Sequence, residues 1–254
     1  MTVPTLFSLQ GFLNIGTLLP NGDIGKLRWL GNVPEATLQL GVETEDKKED
    51  FSGGRNLIGR LQTGVSAALN YTLDYWSPAN LALAFNTTES TIAASTITGE
   101  EFPTGLVAGD LVRLDHPFAT SLVITDDAGT PATLVSGTNY RLEGHCKNTV
   151  KILDPASLVQ PFSAAYSYDA VTNLVMLSQV GKPVFIQFDG INTETGEAVL
   201  LELWKVRHDP IKELALINKA YGNMAMTSAV LYDAARAVDP MLGGIGRMLQ
   251  KQAA

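Results

Sequence analysis

A strict two-residue alternation over residues 65–75 constrains the fold of this 254-residue chain more than any other feature. Apolar side chains occupy every second position, and small or polar residues lie between them; the apolar set is Val65, Ala67, Leu69, Tyr71, Leu73 and Tyr75. Successive side chains of a β-strand point to opposite faces, so the pattern predicts a long strand with one packed face. The other face would meet solvent or another subunit. Shorter alternations at 36–43, 162–168 and 184–188 extend the prediction to a mainly β fold.

Further strand and helix signals are local. Residues 198–207 are nearly all apolar, which predicts a strand buried on both faces, and residues 224–232 alternate as a late strand. Serine followed by proline opens residues 77–85, and aspartate followed by proline opens residues 209–217. Both pairs are typical helix starts, so the sequence predicts one or two short helices. Turn sequences separate the strands at three places, namely 21–22, 126–129 and 192–196.

Residues 44–56 interrupt the alternation with a run of charged residues. The run closes with two glycines and holds one aromatic residue, Phe51. Such a segment is typical of a solvated loop, yet it is unusually long for a hairpin connection. The residues alone therefore leave two interpretations open, a solvated loop and a long interaction arm.

Composition changes in the middle of the chain. Residues 87–100 are rich in threonine and serine and are typical of a linker. Short apolar runs separated by glycines follow, at 111–114, 121–125, 133–135 and 149–153. We expect a small β-sandwich inserted into a larger β domain. The larger domain would comprise residues 1–89 and 169–254, and the inserted domain would comprise residues 90–168.

Charge and cysteine content exclude several classes of protein. The chain has 45% apolar and 17% charged residues, which is enough apolar material for a buried core. Its formal net charge of −8 argues against a basic nucleic-acid-binding domain. A single cysteine, Cys146, cannot form an internal disulfide. We expect no secretory leader and no membrane span, and hence a soluble protein made in a reducing cytoplasm.

No motif typical of catalysis or cofactor binding stands out. The three histidines, His116, His145 and His208, lack the short spacing of metal ligands. We find neither a nucleophile elbow nor a P-loop. The prediction is therefore no catalytic residue, no cofactor and no metal.

Two other features receive structural interpretations. The glycines at 244–249 begin like a dinucleotide fingerprint but lack its third glycine, so we interpret them as a flexible C-terminal segment. Glu202 lies inside an apolar run, and a buried carboxylate must be paired or hydrogen-bonded. Lys205 and Arg207 are the expected partners.

The first 85 residues resemble the opening of phage major tail tube proteins. The family has a Gln-Gly opening strand, a short turn and a W-x-G-N-x-P-E segment, present here at 10–11, 21–22 and 29–35. A charged arm with a K-E-x-F/Y-S-G core, a long alternating strand and an S-P-x-N-L-A helix start follow in order, at 48–53, 64–75 and 77–82. Residues 183–232 resemble the closing strands and short helix more loosely, and residues 240–254 depart from the family.

The middle segment resembles the immunoglobulin-like insertion of some members. It holds a V-x-G-D-L-V run at 107–112 and a late aromatic strand, Tyr166-Ser167-Tyr168. The resemblance thus implies a tail-tube β-sandwich or barrel domain with one or two short helices, plus an inserted Ig-like β-sandwich. The inserted domain would decorate the outside of the tube.

The resemblance also implies a structural function. Six copies would form a ring, and rings would stack into the hollow tail tube that conducts the phage genome. Other partners would be the tape-measure protein in the lumen, the tail terminator, distal tail proteins, and double-stranded DNA that passes without specific binding; no membrane is involved. The protein would be made in the host cytoplasm and end in the virion.

The charged segment gains a role from the same resemblance. It would reach a neighbouring subunit or the next ring through an inter-subunit arm, whose candidate contact residues are Glu45, Asp46, Lys47, Lys48, Glu49, Asp50, Phe51 and Arg55. Three alternatives stay open: another tail component of related fold (terminator, hub or distal tail protein), a carbohydrate-binding module or adhesin, and an enzyme.

Overall fold

The computed structural model describes residues 6–251 and divides the chain into two compact units. The larger unit combines Met1–Glu89 with Leu174–Ala254, and the inserted unit is Ser90–Asn173. The predicted insertion ends at residue 168, whereas the inserted unit ends at Asn173. Residues 1–5 and 252–254, which belong to the segments considered for a leader and a C-terminal tail, lie outside the described residues.

The larger unit is built on a nine-stranded sheet. Its strands are β1 (Leu9–Leu18), β2 (Ile24–Trp29), β3 (Ala36–Lys48), β4 (Leu57–Leu73), β13 (Val184–Asn192), β14 (Ala198–His208), β15 (Met224–Met226), β16 (Ser228–Val230) and β17 (Gly246–Gln250). The order is β15-β4-β16-β14-β13-β1-β2, with β3 beside β4 and β17 beside β14. The expected turn at 21–22 closes the β1–β2 hairpin, with Gly22 at φ 88°.

One face of this sheet carries the core. Ile15 pairs with Ile186, which in turn pairs with Leu203, so the three side chains share a face. Val206 pairs with Val230 farther along the same face. These residues pack with the inward side chains of β4 and β15 into one apolar cluster, which includes Leu13, Leu69, Tyr71, Leu73, Met224 and Met226.

The single helix among the described residues, α1 (Pro78–Ala84), confirms the prediction at 77–85. Ser77 caps it, because the Ser77 hydroxyl accepts a hydrogen bond from the Asn80 backbone N–H at 3.2 Å. The helix expected at 209–217 is wrong, since the segment is irregular. There the Ile211 N–H donates to the Ala84 carbonyl at 2.8 Å, and Ile211 packs on the core. Tertiary contacts thus replace the local helix signal.

The C-terminal segment is also different from the expectation. Residues 246–250 form β17 and pair with β14, so the interpretation as a flexible segment is wrong. Glu202 pairs with Arg247 of β17 at 2.6 Å (Nε to Oε2), not with Lys205 or Arg207. Lys205 instead contacts Asp233 at 3.0 Å.

Strands β14 to β16 largely match their sequence patterns. Leu203 and Trp204 are adjacent in β14 and each only 2% exposed, which confirms burial on both faces at that point. The alternation of residues 224–230 is buried as expected, but it is split into β15 and β16 at Thr227. Tyr232 lies outside the strand and is exposed, which corrects its predicted place as the last residue of the alternation.

The inserted unit consists of two three-stranded sheets around one core. The sheets are β7-β10-β9 and β6-β11-β8; their strands are β6 (Ser95–Glu101), β7 (Leu111–Arg113), β8 (Ala119–Thr125), β9 (Tyr140–Glu143), β10 (Thr149–Ile152) and β11 (Ser163–Tyr168). Both sheets contribute to the same cluster, for example Val150 and Ala164. Two short strands, β5 (Glu89–Ile92) and β12 (Val171–Leu174), pair with each other at the ends of the unit.

Two expectations for this region need correction. Residues 87–100 are not a linker, because most of them belong to β5 and β6. The turn at 126–129 forms, but residues 131–135 contribute only an isolated bridge between Thr125 and Thr133 rather than a strand. Asp126 stabilises this turn, since its Oδ1 accepts a hydrogen bond from the Ala132 N–H at 2.6 Å.

Candidate assembly interface

The charged segment at 44–56 belongs to a long hairpin. Strand β3 continues to Lys48 and β4 begins at Leu57, so only residues 49–56 form the connection. The interpretation of residues 44–56 as a solvated loop is therefore wrong for residues 44–48, which are paired in β3. Charged side chains lie on both faces here, and this hides the alternation that would mark a strand.

The outer part of this hairpin extends past the rest of the sheet. On the side of β4 away from β3, β15 and β16 pair only with residues between Ala67 and Leu73. Residues 42–48 and 57–65 therefore form a two-stranded ribbon, which we call the arm. Within residues 6–251 the outer edge of β3 is unpaired, as is the edge of β2 away from β1.

An apolar stripe runs from the core onto the arm. Leu38 pairs with Leu69, and Leu40 with Ala67, so these side chains share one face. Val42 pairs with Val65 one step farther out. Leu69 is 3% exposed, but Leu40 is 73% and Val42 60% exposed. The face that packs the core thus continues into solvent as apolar surface.

Two irregularities shape the arm. The register shifts between Glu43 and Thr44 and again between Lys47 and Lys48, each time with an extra residue on β4. Such bulges bend a strand pair and increase its twist. The arm is therefore a curved ribbon rather than a flat extension of the sheet.

A bidentate ion pair ties the two strands together beyond the first bulge. Arg60 donates from Nε to Oδ1 of Asp46 at 2.6 Å and from Nη2 to Oδ2 at 2.9 Å. These hydrogen bonds hold the pKa of Asp46 below its ordinary value and raise the pKa of Arg60. Both side chains are exposed, so the pair fixes geometry more than it stabilises the fold.

The tip of the arm is organised around Glu49. Its Oε1 accepts hydrogen bonds from the Ser52 hydroxyl and, at 2.6 Å, from the Asn56 side-chain amide. The Ser52 contact is the main reason that the pKa of Glu49 is lowered. Gly53 and Arg55 turn the chain with positive φ of 79° and 50°. Phe51 is 84% exposed at the tip.

The structure separates the eight predicted contact residues into two groups. Seven are exposed and available to a partner: Glu45, Asp46, Lys47, Lys48, Asp50, Phe51 and Arg55. Glu49 is 5% exposed and organises the tip, so it is not a surface contact. The sequence reasoning missed the apolar contribution of Leu40, Val42 and Val65. The alternation through Val65 was the available signal, because it continues beyond the length that the core covers.

Metal binding is not indicated on the arm or elsewhere in residues 6–251. Across the described part of the chain, no group of three or more His, Cys, Asp or Glu residues is placed to hold a metal ion. His145 and Cys146 lie in the turn that follows β9, not on a strand. None of the helices found in residues 6–251 has the length and apolar character needed to cross a membrane.

The fold and this surface define a mainly β protein with an exposed two-stranded arm. The chain belongs to the family described as protein of unknown function UCP028589, whose profile matches residues 6–249. No curated protein matches the chain.

Proposed function

We propose that this protein is the subunit of a phage tail tube. Six copies would form a ring, and rings would stack into a hollow tube that conducts the phage genome. The observation that carries the proposal is the arm, with its exposed apolar stripe and its unpaired edge. A two-stranded ribbon is marginal in water, and a long exposed edge with apolar side chains invites pairing with another chain. A neighbouring copy would cover both.

The free edges at β2 and β3 support ring closure. They are different surfaces of one molecule, so pairing between them is heterologous, and such contacts generate a ring when the rotation closes. A closed barrel of strands from all copies would leave no edge exposed. We propose this arrangement as the tail-tube fold of the larger unit.

The inserted unit would decorate the outside of the tube. Its two three-stranded sheets around one core support an Ig-like β-sandwich. Since its apolar residues are largely buried within itself, tube assembly would not require it.

The lumen would carry a negative potential. The chain has a net charge of −8, and an acidic lumen would repel DNA phosphates so that the genome passes without specific binding. The tape-measure protein, the tail terminator and distal tail proteins would be the other partners in the virion.

Negative-stain electron microscopy over a concentration series tests the proposal. The unmodified protein should form hollow tubes of uniform width with a regular axial repeat. Deletion of residues 46–53, and separately Val42→Asp in the stripe, should leave monomers, because a carboxylate there would be buried without a partner at the interface. Val123→Asp, at an exposed position of β8 in the inserted unit, is the matched control and should still form tubes.

The alternatives give different outcomes. Tubes from the arm deletion would contradict the proposed role of the arm. Isolated rings from the unmodified protein would indicate a terminator or hub instead. Monomers at every concentration would overturn the proposal, and a glycan array would then test the carbohydrate-binding alternative.

A further inference from the structure

A pocket in the larger unit has basic side chains in its wall and no acidic one. It lies between α1, residues 86–88 and residues 179–184. Arg28 of β2, Lys182 and His208 of β14 contribute to the wall, together with polar groups such as Asn86 and Gln179. Neither aspartate nor glutamate lines it. The pocket wall therefore combines basic and hydrogen-bonding residues and holds no carboxylate.

Arg28 lacks an ionic partner within residues 6–251. Its Nη1 donates to the neutral Oδ1 of Asn80 at 2.7 Å, and no carboxylate oxygen lies within the 4.0 Å limit for an ion pair. Burial lowers the pKa of Arg28, while the more distant Tyr71 and Glu89 act in the opposite direction. A half-buried guanidinium has five N–H donors, and leaving its charge unpaired is costly.

His208 adds a donor that has no acceptor. The side chain is 2% exposed, and its Nε2 lies 2.6 Å from the Tyr71 hydroxyl. Burial lowers the pKa of His208 to about 4, so the imidazole is neutral at pH 7. The Tyr71 hydroxyl has no other hydrogen-bond partner among the described residues. The tautomer that leaves the fewest buried groups unpaired therefore has Tyr71 donating to Nε2 and the imidazole proton on Nδ1. That Nδ1 has no partner in residues 6–251, and a buried orphan of this kind calls for an explanation.

We propose that this pocket binds an oxyanion. Arg28 would supply a guanidinium fork, Lys182 a mobile ammonium group, and His208 an N–H donor at the pocket wall, which suits the oxygens of a phosphate or a carboxylate. The oxyanion has two sources, inorganic phosphate or an aspartate or glutamate side chain of a second copy of this chain. The pocket lies within one copy, so the proposal does not depend on tube assembly.

Phosphate binding by dilute, unassembled protein tests the first source. Thermal unfolding is followed while phosphate replaces chloride at constant ionic strength, and the Tm should rise with saturable dependence on phosphate. The ¹⁵N resonance of His208 Nδ1 should shift over the same concentration range. Lys182→Gln removes an exposed ammonium without touching the core and should weaken binding by about tenfold, the scale of one charge-assisted hydrogen bond. Lys219→Gln, at another exposed lysine, should leave binding unchanged.

Zero-length carbodiimide cross-linking tests the second source. Equal amounts of ¹⁴N and ¹⁵N protein are mixed at a concentration where copies associate, and mixed-isotope peptides are identified by mass spectrometry. A carboxylate of another copy in the pocket should give a Lys182 cross-link that exceeds any at Lys219. Saturable phosphate binding without that cross-link assigns the pocket to a free anion. The proposal would be overturned if phosphate binding did not saturate and Lys182 gave no preferential cross-link, whether or not tubes form.

Discussion

The two units differ in what they do with large apolar side chains. The inserted unit exposes only seven of them among the described residues: Ile92, Val107, Leu111, Phe118, Val123, Val135 and Val159. The larger unit exposes all of the others, and most of these lie on the arm, around Trp29 and Trp76, and at residues 175–180 and 216–221. Large contiguous apolar surfaces are rare on monomeric proteins and mark places where something binds.

This difference separates a unit that buries its own apolar surface from one that leaves much of its apolar surface exposed in the monomer. In the inserted unit the sheets cover each other, and the alternating residues of β11 are buried down to Tyr168. In the larger unit β4 is 17 residues long, but only its C-terminal part meets the core. The stability of the larger unit should therefore depend on assembly, and that of the inserted unit should not.

Removal of one core aromatic from each unit gives the largest expected effect. Phe162 in the inserted unit is 0% exposed, and Phe185 in the larger unit is 2% exposed. Phe→Ala at such sites costs about 3–5 kcal/mol. In calorimetry of dilute protein, Phe162→Ala should lower one unfolding transition and Phe185→Ala the other. A single transition that both variants lower equally would contradict the independence of the units.

Acidification should destabilise the larger unit more than the inserted unit, by a smaller free energy than the core substitutions do. In the unfolded chain His208 is protonated below its ordinary pKa of 6.5, whereas in the folded protein it is protonated only near pH 4. The contribution of His208 to the stability of the folded state is therefore fully present above pH 6.5 and is lost as the pH falls toward 4. The larger unit should lose roughly 3 kcal/mol over this range. Hydrogen bonds from the Ala132 backbone lower the pKa of Asp126 in the inserted unit, so that contribution is lost only at lower pH.

Urea unfolding at a series of pH values measures the acid effect. The transition of the larger unit should weaken between pH 6.5 and 4. His208→Gln should flatten that dependence, since glutamine does not titrate. Unchanged pH dependence in this variant would show that another group is responsible.

The smallest expected effect concerns the exposed stripe. Leu40→Ser should change the stability of dilute monomer by less than about 0.5 kcal/mol, because Leu40 is 73% exposed there. Leu69 lies on the same face of the hairpin, next to Ala67, which pairs with Leu40, and it is buried. Leu69→Ala should therefore lower the free energy of unfolding by about 2–5 kcal/mol. Equilibrium urea unfolding measures both. A large loss from Leu40→Ser would mean that the monomer already covers the stripe, which would remove the contrast between the units.

Local sequence signals predicted the elements whose cause is local. The helix at 78–84 follows from a serine cap and a first-turn proline, and the β1–β2 turn follows from Asn21 and Gly22. Alternating strands were also readable where one face meets a core, as in β11 and in β4 from Ala67 to Leu73. The mainly β class follows from these signals together.

Long-range contacts decided what the sequence could not predict. Arg247 finds Glu202 only through the pairing of β17 with β14, across 45 positions of chain. Ile211 is held by Ala84, which removes a locally plausible helix. On the arm both faces are solvated, so its charged part has no periodic pattern, and only the structure shows that Glu49 turns inward while its neighbours remain exposed.

The hydrogen bond between the Ser90 hydroxyl and the Asn173 carbonyl, at 3.0 Å, brings the first and last residues of the inserted unit together. Domains with adjacent termini can be exchanged without disturbing the chain that carries them. Residues 90–173 should therefore be replaceable by another domain without disturbing the larger unit. A foreign domain whose ends lie equally close would fit the same junction, which makes the chain a natural scaffold for displaying other proteins.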